Sequence, residues 1–72
     1  MNQAHLERML AIADQHIADG RRNIAQQHAL VEQMEGLGID VSTANAILAS
    51  FERALELHVA DRDRLLRVLT TA

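Results

Sequence analysis

Two pairs of residues with metal-ligand chemistry occur at the same spacing in different parts of the chain. His16 is followed three residues later by Asp19, and His58 is followed three residues later by Asp61. Residues three apart lie on one face of a helix. Two imidazoles and two carboxylates at one level can bind zinc, iron or manganese, as histidine and carboxylate pairs do inside other helical bundles. The alternative interpretation is a hydrogen-bonded polar layer that fixes the register of two helices.

The helical pattern that positions these residues is interrupted once along the chain, at the segment 36–40. Gly36 follows a long helical pattern and is the predicted C-cap, because glycine adopts the left-handed conformation without steric cost. Asp40 is the predicted N-cap of the next helix, with Ser42 as the alternative. The sequence therefore predicts one domain over residues 1–72. A helix of about 3–35, a turn of 36–40 and a helix of about 41–70 form an antiparallel all-α hairpin.

The apolar residues of both predicted helices recur at alternating intervals of four and three, the heptad pattern of packed helices. In helix one the a and d positions are Leu6, Leu10, Ala13, Ile17, Gly20, Ile24, Gln27, Val31 and Met34. In helix two they are Ala44, Leu48, Phe51, Leu55, His58, Arg62, Leu65 and Leu69. Gly20 interrupts this pattern, and we expect its small size to admit a neighbouring backbone or a large side chain, with Leu55 and the ring of His58 facing it. Across the same seam, His16 is expected near Asp61 and Asp19 toward His58.

A second stripe runs beside the seam and is apolar at both of its ends. It occupies heptad position g of both helices and is called here the g flank: Met9, His16, Asn23, Leu30, Ile47, Ala54, Asp61 and Val68. Seam and stripe together make a wider apolar face than two helices can bury. The g flank is therefore the predicted interface with a second copy, and the assembly a homodimeric four-helix bundle.

Composition narrows the remaining choices of function. With 72 residues and no cysteine, the chain has a small core and no disulfides, a situation in which partner subunits usually add stability. A net charge of −3 argues against nucleic acid as a partner. No apolar run is long enough to span a membrane, and the first twelve residues are too polar for a signal peptide, so a cytoplasmic location is expected.

A catalytic role is not expected, because a two-helix hairpin is expected to lack a pocket of ligand size. In addition, no nucleophile is placed beside a general base. The leading hypothesis is a structural or interaction protein without a cofactor. One form of it is a regulator that docks a partner helix. A metal-binding bundle that uses His16, Asp19, His58 and Asp61 is the alternative. Nucleic-acid binding is third.

The pattern resembles a group of short, uncharacterised two-helix proteins from alphaproteobacteria. The resemblance is carried by Gly36-x-x-x-Asp40, Leu48-x-x-Phe51 and His58-x-x-x-Arg62-x-x-Leu65. It implies a helical hairpin and no particular activity. The dimeric RNA-binding Rop-type bundle is similar in size and plan, but this chain lacks a matching basic and aromatic surface.

Overall fold

A computed structural model describes residues 2–71 and consists of two long helices. Helix α1 comprises Gln3–Gly36 and helix α2 comprises Ser42–Thr71. Asp14 of α1 lies beside Arg62 of α2, whereas Gln27, nearer the turn, bonds to Ala44. As residue numbers increase along α1, the residue numbers of the contacting partners on α2 decrease, so the helices are antiparallel. The predicted all-α hairpin is confirmed.

The hairpin is a rod two helices thick. Its principal extents are 54 × 14 × 13 Å, and its radius of gyration is 16.4 Å. A compact domain of this length is expected to have a radius of gyration of about 11 Å. The long shape leaves a large share of each helix exposed to solvent.

Helix α1 begins where the sequence predicts, because Asn2 caps it. The side-chain oxygen of Asn2 accepts a hydrogen bond from the backbone N–H of His5 at 2.7 Å. This bond satisfies one of the four N–H groups that have no partner in the first turn of a helix.

The end of α1 differs from the prediction in the glycine that stops the helix. Gly36 is the last helical residue, and Gly38 is the residue with positive φ, at 72°. The N–H of Gly38 donates to the carbonyl of Glu35 at 3.1 Å, and that of Ile39 donates to the carbonyl of Met34 at 2.9 Å. These two bonds form a Schellman motif with Gly38 as its left-handed residue. The turn is therefore 37–41, one residue later than the predicted 36–40.

The two glycines are expected to respond oppositely to alanine. Gly38→Ala should lower the free energy of unfolding by about 1–2 kcal/mol, because a Cβ disfavours the left-handed conformation. Gly36→Ala should leave stability unchanged or raise it by up to about 1 kcal/mol, because alanine is the better helix former. A Cβ at Gly36 would meet nothing within 4 Å. Urea denaturation of both variants measures the difference, and equal effects would contradict this turn geometry.

Helix α2 begins at Ser42, one residue after the predicted start, so Val41 holds the N-cap position and the predicted cap, Asp40, supplies a capping side chain from one residue earlier. The carboxylate of Asp40 accepts hydrogen bonds from the N–H of Ser42 at 2.9 Å and from its hydroxyl at 2.7 Å. The first helical backbone bond runs from the N–H of Asn45 to the carbonyl of Val41. The hydrogen bonds from the Ser42 side chain and backbone hold the pKa of Asp40 below its usual value of 3.8.

This cap should give the hairpin an acid-sensitive component of stability. A carboxyl group whose pKa is lower when folded stabilises the fold above its unfolded pKa, and that stability is lost as pH falls through the folded pKa. Asp40→Asn keeps an oxygen for capping but cannot titrate. Urea midpoints of wild type and Asp40→Asn, compared from about pH 6 to about pH 2.5, should converge as the pH falls. Curves that stay parallel would show that Asp40 does not act as a charged cap.

The heptad pattern predicts the seam between the helices correctly. Every a and d residue named from the sequence is buried or half-buried. Leu6 and Ile17 are the most buried, each with 3% of its surface exposed. Among the described residues, six apolar side chains are buried and none is completely enclosed. The core is therefore a single narrow row.

Two polar or small positions in this row make contacts that the heptad pattern alone does not specify. Gln27 is buried, and its amide donates a hydrogen bond to the carbonyl of Ala44 at 2.9 Å, which ties the helices together near the turn. A Cβ on Gly20 would lie 3.4 Å from Cδ1 of Leu55, an ordinary contact distance. Leu55, rather than the ring of His58, is thus the nearest neighbour of Gly20, and the backbones do not approach closely enough to require glycine.

Candidate functional site

The g flank lies along one side of the hairpin, and all eight of its residues are exposed. Its four large apolar members stand at the two ends of the rod and are between 36% and 44% exposed: Met9, Leu30, Ile47 and Val68. The polar members and Ala54 lie between them. Along about two thirds of each helix, the solvent-exposed residues of the g flank are therefore apolar at both ends and mainly polar between them.

The middle of this flank is concave. A groove of about 310 Å³ is lined by Met9, Ile12, Ala13, His16, Asp61, Arg64 and Leu65. A neighbouring hollow of about 140 Å³ is lined by His16, Asp19, Gly20, Asn23, Phe51, Ala54 and His58. His16 borders both. This groove is larger than expected for a two-helix hairpin, and its lining combines the long Met9 and Arg64 with the small Ala13. The groove is at the lower limit of ligand-site volumes.

Two exposed apolar residues beside the g flank were missed by the sequence analysis. Ile12 is 56% exposed and Leu57 is 68% exposed. Both occupy heptad position c, which adjoins position g on the surface of a helix. Extending the apolar stripe by one column of the heptad would have found them.

The structure brings the two paired histidines together. The ring centroids of His16 and His58 are 4.9 Å apart, and the ring planes are tilted by 50°. His16 is exposed on α1, whereas His58 is half-buried in the seam. The sequence predicts His16 near Asp61 and Asp19 toward His58, and each of these pairs lines one concavity: the first borders the groove and the second borders the hollow.

The two carboxylates bond within their own helices instead. Asp19 accepts hydrogen bonds from Arg22 and from the amide of Gln15. Asp61 accepts one from Arg64 at 2.5 Å. The spacing of three between each aspartate and its arginine is visible in the sequence and would have predicted these local pairs.

The predicted four-residue metal set is therefore not assembled as such. Within residues 2–71, no three histidine, aspartate or glutamate side chains are close enough together to hold a metal ion. What the arrangement does contain is a pair of imidazoles on the wall of the hollow, with Asp19 on the same wall.

The opposite side of the seam is charged. Arg62 extends from its a position toward Asp14 of α1, with 4.0 Å between the charged atoms, and toward Asp63 at 3.4 Å. Its Nε is buried and has no hydrogen-bond partner. Exposed ion pairs of this kind contribute little to stability. These ion pairs nonetheless show that the side of the seam opposite the g flank is charged and exposed to solvent.

The chain has no match among the known proteins with which it was compared: no family model, curated protein or solved structure is similar to it. Over the described residues, neither helix contains a stretch that is both long and apolar enough to cross a membrane.

Proposed function

We propose that this chain is a non-catalytic structural or interaction protein whose g flank packs against a second copy. The product is an antiparallel four-helix bundle built from two hairpins. The observation that carries the proposal is the exposed, apolar-ended g flank with its concave middle, which lies opposite a charged side. A face of this kind on a small rod is typical of an interaction site.

The exposed area supports a partner of about this size. A compact monomer of 8.0 kDa is expected to expose about 4,450 Å², whereas this chain exposes 5174 Å². The surplus of about 700 Å² is close to the roughly 800 Å² that each partner buries in a stable interface. A second hairpin packed along the g flank would reduce the exposed area of each chain to about that expected for a compact protein of its mass.

The order of residues along the g flank favours a second copy over an unrelated helix. On α1 the order is Met9, His16, Asn23 and Leu30, with both ends apolar and both middle residues polar. On α2 the order is Ile47, Ala54, Asp61 and Val68, again with apolar ends. Both rows thus have apolar ends, so a two-fold axis across the middle of the face brings the apolar ends of one copy against those of the other, as an isologous dimer requires.

The proposal predicts that folding and association are linked. A dissociated hairpin would have only a single narrow row of core residues and would therefore unfold more easily than the dimer. Because higher protein concentration favours the dimer, the thermal midpoint should rise as protein concentration rises. Circular dichroism melts across a hundredfold concentration range measure this directly. A midpoint that is independent of concentration, for a chain that is monomeric throughout, would refute the dimer and leave a foreign helix as the occupant of the g flank.

A further inference from the structure

We propose that His16 and His58 together form a binding site for a divalent transition-metal ion of the kind that prefers imidazole, namely nickel, copper or zinc. The proposal concerns the histidine pair itself and not the four-residue set expected from the sequence. It needs residues of one chain only, so it does not depend on the proposed dimer.

The spacing of the two rings suits a shared metal ion. A metal–nitrogen bond of about 2.0–2.1 Å places the centre of an imidazole about 3.2 Å from the ion. Two such rings are then about 5.2 Å apart at a tetrahedral angle and about 4.5 Å apart at a right angle. The observed centroid distance of 4.9 Å lies between these values.

The surroundings leave room for the ion and for its other ligands. In the single chain, both rings border the hollow of about 140 Å³, which is open to water. Asp19 lines the same hollow, and its present partners are Arg22 and Gln15 on the exposed surface of α1. Because the described residues provide no third side chain at this point, the remaining ligands of the ion would be water molecules. The chain has no cysteine to compete for the ion.

Binding at this site would join α1 to α2 and so stabilise the folded hairpin. The two ligands are 42 residues apart in sequence, and they meet only when the chain is folded. A metal that binds the folded state alone raises the thermal midpoint, and the rise grows with the concentration of free ion relative to its dissociation constant.

The test is a titration of untagged protein with Ni²⁺ and with Zn²⁺, followed by calorimetry and by the thermal midpoint. We expect saturable binding of one ion per chain and a rise in midpoint that a chelator reverses. His16→Gln and His58→Gln should each weaken binding by about tenfold or more. His16 is exposed, so its variant should keep the helical circular dichroism of wild type and remain interpretable if His58→Gln folds poorly.

The chain offers a matched control in its other two histidines. His5 and His28 are exposed on α1, and the variant His5→Gln with His28→Gln removes as many imidazoles as the double variant His16→Gln with His58→Gln. The control should bind metal as wild type does. Binding that survives the loss of His16, or that falls equally in the control, would overturn the proposal, as would the absence of any rise in midpoint. The solution mass, measured in the same samples, reports separately on the dimer.

Discussion

Ile17→Ala is expected to unfold most of the protein at physiological temperature. Ile17 is only 3% exposed and lies near the middle of the α1 row of the core. Shortening a buried isoleucine to alanine costs about 2–5 kcal/mol. The core of a chain of this size rarely supplies more than about 3–5 kcal/mol, so this one change removes most or all of it. The loss should appear as a collapse of the helical circular dichroism signal at 37 °C and a large fall in the urea midpoint.

Ile39→Ala is the matched control for this experiment. Ile39 lies in the turn, is about half exposed, and donates its backbone N–H to the carbonyl of Met34. Surface changes of this kind alter stability by no more than about 0.5 kcal/mol. If the two variants lost similar stability, the seam would not be the core of the hairpin.

Ile47→Arg is expected to convert the proposed dimer to a monomer. Ile47 is 42% exposed in the single chain and lies at the turn end of the g flank. An arginine there would place two unpaired cations in the interface, one from each copy, and burying an unpaired charge is strongly unfavourable. Size-exclusion chromatography with light scattering should show the mass of one chain, and the thermal midpoint should fall toward the low-concentration limit of wild type.

The control for the second variant is Leu66→Arg. Leu66 is 39% exposed, lies on the same helix, and occupies heptad position e on the opposite side of the seam. The two substitutions therefore introduce the same charge at nearly the same exposure. Leu66→Arg should leave the mass unchanged. If both variants or neither of them dissociated, the g flank would not be the interface.

The main features of the fold follow from the sequence because they depend on residue spacing alone. The alternation of four and three fixes which residues meet in the seam, from Leu6 at one end to Leu69 at the other. The stop between the helices was also predicted, but the left-handed residue was misassigned. Gly36 and Gly38 both permit positive φ, and only the backbone bonds to Met34 and Glu35 decide between them.

The partners of the polar side chains were less predictable. Asp19 and Asp61 each have an arginine three residues away on their own helix, and these local partners compete with the histidines across the seam. The outcome depends on side-chain rotamers, which a heptad pattern does not specify. The contact of His16 with His58 follows once both carboxylates are engaged elsewhere.

The most direct test of the account is the mass of the untagged protein in solution, measured by sedimentation equilibrium across a wide range of concentration. The account predicts twice the 8.0 kDa of one chain at high micromolar concentration, with dissociation on dilution and a parallel fall in helical signal. A mass of one chain at every concentration, with undiminished helix, would contradict it.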